Sequence, residues 1–293
     1  MRTPWLVAWL GLLLCAPVGA AQSGVQSGLQ PLSDSALAAV RGRDGVSFDL
    51  AGFALSGDAR LSYGAPSGAG LYVEGVTASR SDSPDPFGDP YRLDIVRGRA
   101  GLADVVQLAF PVNRDGAQRW QFAYDWGVHA DSIARYGGSV LLSDAVFRGG
   151  GLQFSTPQAN DGVAFGLALN LTVGELALRP RGRADAGGQM ALGGIRLGGV
   201  DQDGNFNNTA WALADVAAQP AVINALADAS GARLHIGIGW PDTRFGNGAA
   251  AAGGLQINNI SFAGAGAGQA PVDLGSSRIG SMQLQYLDVK FRR

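Results

Sequence analysis

Trp120-Gln121-Phe122-Ala123-Tyr124-Asp125-Trp126 is the stretch that decides the fold class. Its rings, Trp120, Phe122, Tyr124 and Trp126, fall at every second position, with Gln121, Ala123 and Asp125 between them. Side chains two apart share a face in a strand, whereas a helix groups residues three and four apart. The segment Arg119 to Val128 is therefore predicted as a strand. Trp120, Phe122 and Trp126 are expected to face the core, as aromatic rows on strands commonly do. A sugar-binding platform and a lipid-facing strip are the other uses of such a row.

The same reading extends in both directions. Val46 to Leu50, Phe53 to Tyr63, Gly70 to Thr77, Leu102 to Phe110, Ser139 to Phe147 and Leu152 to Ser155 are predicted strands. Val163 to Leu178 is an apolar run broken at Gly174-Glu175. There Leu169, Leu171 and Val173 alternate with Asn170, Thr172 and Gly174, which favours a strand over a helix. Met190 to Val200, Arg233 to Trp240, Leu255 to Phe262 and Met282 to Phe291 complete the set. Ser79 to Pro90, rich in Ser, Asp, Pro and Gly, is predicted as a loop.

Two short helices are expected beside these strands. Ser33 suits an N-cap before Leu37 and Val40, and Gly42 suits the end. Pro220 suits a first turn, Val222, Ile223, Leu226 and Ala227 recur at helical spacing, and Gly231 closes the segment. The expected fold is all-β: a Gly-rich antiparallel sandwich or barrel-like sheet with two short helices, in a single domain over 32–293. Glycine takes 45 of 293 positions, about twice the usual ≈ 7%.

The first residues have the order of an export signal. A short positive end, Met1-Arg2, precedes the apolar or small run Leu6 to Ala16, then Pro17 and the small residues Val18-Gly19-Ala20. Residues 1–20 are therefore expected to be a signal peptide cleaved before Ala21, with 21–31 a flexible mature N-terminus. A bilayer-spanning helix needs about 20 apolar residues, more than this run supplies. Cys15 lies in the middle of the run and is the sole cysteine. Once the signal is removed, no disulfide can form, so stability has to come from a core. A chain of this size can bury roughly 75% of its unfolded surface. The net charge of −2 and the 16% charged residues lack the basic footprint of nucleic-acid binding.

Motifs for catalysis are sparse. His129 and His235 are far apart in sequence, without Cys, His or carboxylate at metal-ligand spacing. The only lysine, Lys290, is out of place for a phosphate-binding loop, and no Gly-x-Ser-x-Gly elbow occurs. Asp201-Gln202-Asp203-Gly204-Asn205-Phe206-Asn207 sets oxygen side chains at alternate positions, as a calcium loop does. However, Gly204 is misplaced and Ala212 stands where a bidentate Glu belongs, so a turn is expected. Asn170-Leu171-Thr172 and Asn259-Ile260-Ser261 match a glycosylation sequon that is discounted for a bacterial protein. No catalytic, cofactor-binding or metal residue is assigned, and no cofactor is expected.

Leu32-Ser33-Asp34, Leu37, Val40, Gly42 and Asp44-Gly45, followed by strand patterns from Val46, resemble the mature N-terminus of the FilA-like pilus-system proteins, exported β-rich proteins of proteobacteria. A similar pattern also occurs in leaders of small secreted peptides. The resemblance implies a surface-associated or fimbria-linked protein without established catalysis. The expected function is thus non-enzymatic: a structural or assembly role at the cell surface or in a pilus system, with a protein partner. An outer-membrane β-barrel and a carbohydrate- or ligand-binding β module are the alternatives. The expected location is the periplasm, outer membrane or cell surface.

Overall fold

The computed structural model describes residues 45–293 except 59, 65–67, 82–86, 99–102, 131–132, 158–161, 220, 229–230, 240–249, 265, 267–268, 285–286 and 291–293. The chain divides into Met1–Arg43 and Asp44–Arg293, and the described fold belongs to the second. The signal-like segment, the polar stretch 21–31 and the helix expected over Leu32 to Gly42 lie outside the described residues.

The described fold is all-β and antiparallel. Its strands are β1 (Val46–Phe48), β2 (Ala54–Ser56), β3 (Leu61–Gly64), β4 (Gly70–Arg80), β5 (Tyr91–Val96), β6 (Val105–Ala109), β7 (Trp120–Ala130) and β8 (Ile133–Ser155). They continue with β9 (Val163–Arg179), β10 (Met190–Gly199), β11 (Trp211–Ala214), β12 (Ala221–Asp228), β13 (Gly231–Ile238), β14 (Gly253–Phe262), β15 (Val272–Met282) and β16 (Leu287–Lys290).

These strands form one branching sheet rather than two separate ones. Its main path runs β1-β5-β6-β8-β9-β10-β14-β15. The long strand β8 is the first branch point, because one edge of it serves two neighbours. Ile133 to Ala145 pair with β7, and Gly151 to Phe154 pair with β6. Its other edge follows β9 from Ser139 to Ser155. Strand β9 branches in turn, meeting β10 over Leu171 to Leu178, β11 near Leu169, and β12 over Val163 to Phe165.

Two features depart from the sequence reading. Ser139 to Phe147 and Leu152 to Ser155 were expected to be separate strands, yet they form one. The glycines between them are taken up by a register shift between Phe147 and Gly150, a bulge that bends the strand without ending it. The second correction concerns the helix expected over Pro220 to Ser230. Ala221–Asp228 is strand β12, paired along its whole length with β13 and at three residues with β9. A segment this short is a marginal helix alone. The β-branched Val222 and Ile223 suit a strand, and β13 along its length with β9 at Ala221 to Ile223 supplies its backbone partners.

Register shows where the apolar side chains lie. Directly opposed residues on neighbouring strands share a face. One row runs Tyr124, Val140, Leu178, Met190, Phe262, Val272 across six strands. Beside it on the same face runs Leu55, Ala78, Phe122, Leu142, Leu176, Leu192, Ile260. None of these residues is buried. The opposite face of this end holds Ser139 (1% exposed), Ala177 (1%) and Ala191 (7%).

Then a polar seam interrupts the rows. Ser143, Glu175, Gly193 and Asn259 are paired across β8, β9, β10 and β14. Each has a second non-apolar neighbour: Asp144, Gly174, Gly194 or Asn258. Leu176 and Val173 flank this seam three residues apart, as do Leu192 and Ile195, and Ile260 and Ile257. Leu142 and Ala145 on β8 stand opposite Phe122 and Trp120, which are two apart on β7 and share a face, so a bulge takes up the odd residue. Beyond the seam the apolar rows therefore stay on the face of the aromatic row, for example Ile95, Val106, Phe154, Phe165, Ala221, Ile238, Leu287. Part of that row is covered: Ala214, Ala221 and Ile238 form a buried cluster with Phe165 and Leu284 against it.

Candidate functional site

Phe122, Tyr124 and Trp126 on β7 stand at an open stretch of the sheet, contrary to the core placement expected of Phe122 and Trp126, whereas Trp120 packs on that face beside buried Tyr91 and Arg80. Phe122 is 38% exposed, and Trp120, Tyr124 and Trp126 are half-buried. The covered side of β7 is the one carrying Asp125, and polar partners explain why. Ser139 Oγ donates to Asp125 Oδ1 at 2.5 Å, and Tyr136 OH lies 2.8 Å from Ser139 Oγ. Arg183, from the β9–β10 connection, pairs with Asp125 Oδ2 at 3.1 Å. It also donates to Thr77 Oγ1 at 3.2 Å and to the Gly75 carbonyl. A half-buried carboxylate has to be paired and hydrogen-bonded, and that requirement turns Asp125 inward and the rings outward.

The rings border a hollow of about 500 Å³ lined by Leu71, Val73, Tyr124, Trp126, Leu178 and Met190, among others. Trp126 lies flat across Gly137, where an added Cβ would come within 2.6 Å of the ring. Only glycine permits that approach. The hollow accepts apolar or ring-shaped groups. Ser139 touches its edge, but its hydroxyl is committed to Asp125 and Tyr136, and its burial keeps it from acting as an open nucleophile.

Trp120 is anchored differently from the other rings. It packs 5.6 Å from Phe53, and its indole N–H donates to Tyr91 OH at 3.2 Å. Beside them, Arg80 and Asp49 form an ion pair at 2.6 Å with side chains 0% and 4% exposed. Burial pushes the Tyr91 phenol above its ordinary value, while the Trp120 hydrogen bond and the Arg80 charge pull the other way. The Arg80–Asp49 pair ties the end of β4 to the segment after β1, so it joins two branches of the sheet. Sequence reading missed both ion pairs, since their partners are 31 and 58 residues apart.

Across the sheet, the remaining sequence candidates are separate from one another. His129 Nε2 on β7 accepts from Arg60 Nη2 at 3.0 Å, and its ring packs against Tyr72. His235 on β13 lies 2.7 Å from Asn224 Oδ1 and 3.2 Å from Asp288. In the Asp201–Asn207 loop, Asp201 Oδ1 accepts the backbone N–H groups of Asp203 (3.0 Å) and Asn205 (2.8 Å). Asn207 Oδ1 accepts from Thr209. These oxygens close turns on their own backbone. Among the described residues no group of three or more His, Cys, Asp or Glu side chains is placed to hold a metal ion. Asn170 is buried and donates to the Asn208 carbonyl at 3.0 Å.

On the face opposite the aromatic row, where Gln121 donates to Asp144, lies a polar cleft of about 460 Å³ bordered by Arg119, Arg148, Arg196, Asp144, Gln256 and Asn258, among others. Arg148 Nη1 is held by the carbonyls of Asn113 and Arg114, and Arg196 stacks 4.2 Å over the Phe206 ring. No sequence motif marked this cleft, because its arginines come from three distant segments.

No family model, curated protein or solved structure matches this chain. The functional reading rests on the sequence, the fold and its surfaces.

Proposed function

We propose that this chain is an exported, non-enzymatic protein that assembles with a protein partner at the cell surface, in a pilus-associated role. The observation that carries the assembly role is strand β15. It is eleven residues long, pairs only with β14 among the described residues, and is exposed along most of its length. Val272 and Leu274 are 54% and 61% exposed. An open strand edge offers unpaired N–H and C=O groups, and strand addition is how fimbrial subunits and many peptides bind. Export rests on the order of residues 1–20, and the pilus association rests on the resemblance over Leu32 to Val46. The outer-membrane barrel alternative draws support from the apolar rows along β9 and β10.

A deletion strain, complemented with tagged protein, tests this reading. Wild-type protein should fractionate outside the cytoplasm and restore surface appendages seen by electron microscopy. Leu274→Pro, which removes a strand donor, should export and fold but not restore them. Cytoplasmic retention of the wild type, or normal appendages in the deletion strain, would sink the proposal.

A further inference from the structure

We propose that the open stretch of the aromatic face docks on the same stretch of a second copy of this chain, sheet against sheet, about a two-fold axis. This surface is separate from the β15 edge and does not depend on what that edge binds. Three observations combine. The first is an apolar face without a charged side chain. The rows that contain Tyr124 and Phe122 are followed past the seam, on the same face, by Val173-Ile195-Ile257 and Leu171-Leu197-Leu255. No residue of the first two rows is buried, and Phe122, Leu178 and Phe262 are each more than a third exposed. The apolar face of a sheet ordinarily lies under a second layer, and exposed patches of this extent mark interaction surfaces.

The second observation is size. On β9 these rows run from Leu178 to Leu171, about 23 Å at 3.3 Å per residue. Across them β4, β7, β8, β9, β10, β14 and β15 lie side by side, about 29 Å at 4.8 Å between strands. The patch is thus about 670 Å² in projection, and its side chains expose more than that. A stable dimer needs about 800 Å² of accessible surface from each partner, so one sheet face of this extent suffices. The patch is also bounded on its own face. Phe53 packs on Trp120, Asp49 pairs with Arg80, and Phe165 and Leu284 pack against Ala221 and Ile238. A lipid-facing sheet stays open over the hydrocarbon thickness of about 30 Å, whereas a bounded patch fits a partner sheet.

Self-fit is the third. A two-fold interface uses one surface twice, so its ridges and hollows have to lie on the same patch. Here Phe122, Tyr124 and Trp126 form a ridge along β7, and beside it lies the hollow of about 500 Å³ that Leu178 and Met190 border on the far side. The ridge of one copy meets the hollow of the other, at the spacing of about 10 Å at which sheets interdigitate. With no charge in the rows, the axis opposes no like charges. A partner selected by charge would find nothing there to read.

Sedimentation of the purified full chain between about 1 and 100 μM tests the assignment, since interfaces of standard size hold at micromolar concentration or below. The parent should sediment as a dimer. Leu178→Asp puts two carboxylates into one interface and should raise the dissociation constant at least about hundredfold, while circular dichroism stays unchanged. Phe262→Asp, in the same row on β14, replaces it if that variant does not fold. Leu274→Pro, at the β15 edge, should leave the dimer intact, which separates this surface from the assembly role. Every variant keeps Leu6 to Ala16, so association through that segment would survive the aspartate. A parent that stays monomeric throughout, or a dimer that the folded aspartate variant keeps, would overturn the proposal. So would a dimer lost in Leu274→Pro, or a monomeric parent that floats with phosphatidylcholine vesicles, which would give the face to lipid.

Discussion

The two ends of the sheet carry their apolar rows on one face, and only one end has that face covered. On the side of β7, the apolar rows remain open while Ser139, Ala177 and Ala191 are covered. On the side of β12 and β13, Ala221 and Ile238 in the apolar row are 0% and 6% exposed, packed with Phe165 and Leu284. The first end is held from within by charge and hydrogen bonds around Asp125, and the second by apolar contact. Alternation thus tells which residues share a face, but covering decides which face is the inside.

The comparison breaks most severely at the Arg80–Asp49 pair. Arg80→Ala leaves Asp49 buried without its cation and should destabilise by about 3–5 kcal/mol in chemical denaturation. A loss below about 1 kcal/mol would mean that the two branches do not depend on this link.

The seam itself is next. Gly194 has φ +61°, and a Cβ there would meet the Asn258 side chain at 2.5 Å. Gly194→Ala should cost about 1–3 kcal/mol, from backbone strain and displacement of Asn258. An unchanged midpoint would show that the four strands tolerate a relaxed seam.

Phe122→Ala measures how open the first end is. For a core ring the cost is about 3–5 kcal/mol. With 38% of the residue exposed, about 1–2 kcal/mol is expected from the area it still buries. A loss in the core range would place the row inside.

Tyr91 sharpens the junction through pH. Its phenol is raised in the folded protein, so the neutral form is the one the fold favours. Its contribution is fully present below the unfolded value near 10 and is lost as pH rises through the higher folded value. Tyr91→Phe should therefore flatten the alkaline fall in melting temperature. At neutral pH it should cost about 0.5–1.5 kcal/mol for the hydrogen bond from Trp120.

The smallest effect is expected at the Asp201–Asn207 loop. Its oxygens already accept backbone and side-chain donors, so melts with calcium and with chelator should superimpose. A calcium-dependent rise abolished by Asp203→Ala would reverse that assignment.

Much of this was legible in the residues. Trp120 to Trp126 alternated plainly enough to give a strand, and Val163 to Leu178 showed the break at Gly174-Glu175 where the polar seam crosses the sheet. Tyr91–Val96 and Val272–Met282 were not anticipated as strands. The second has Gly275-Ser276-Ser277 at its centre and little apolar signal of its own, so its pairing with β14 supplies what its side chains do not. The candidate surfaces were half legible: the aromatic row was visible, its exposure was not.

The sequence by itself determined the strand class and the faces within each strand, because period-2 alternation is a local property of backbone geometry. Only the tertiary structure decided that the breaks at Ser143, Glu175, Gly193 and Asn259 stand in one line, since that depends on register between strands up to 116 residues apart in number, from Ser143 to Asn259. It also decided which face is covered. Asp125 has to find Ser139 and Arg183, and Arg80 has to find Asp49, and an ion pair across the fold leaves no periodic trace in the chain.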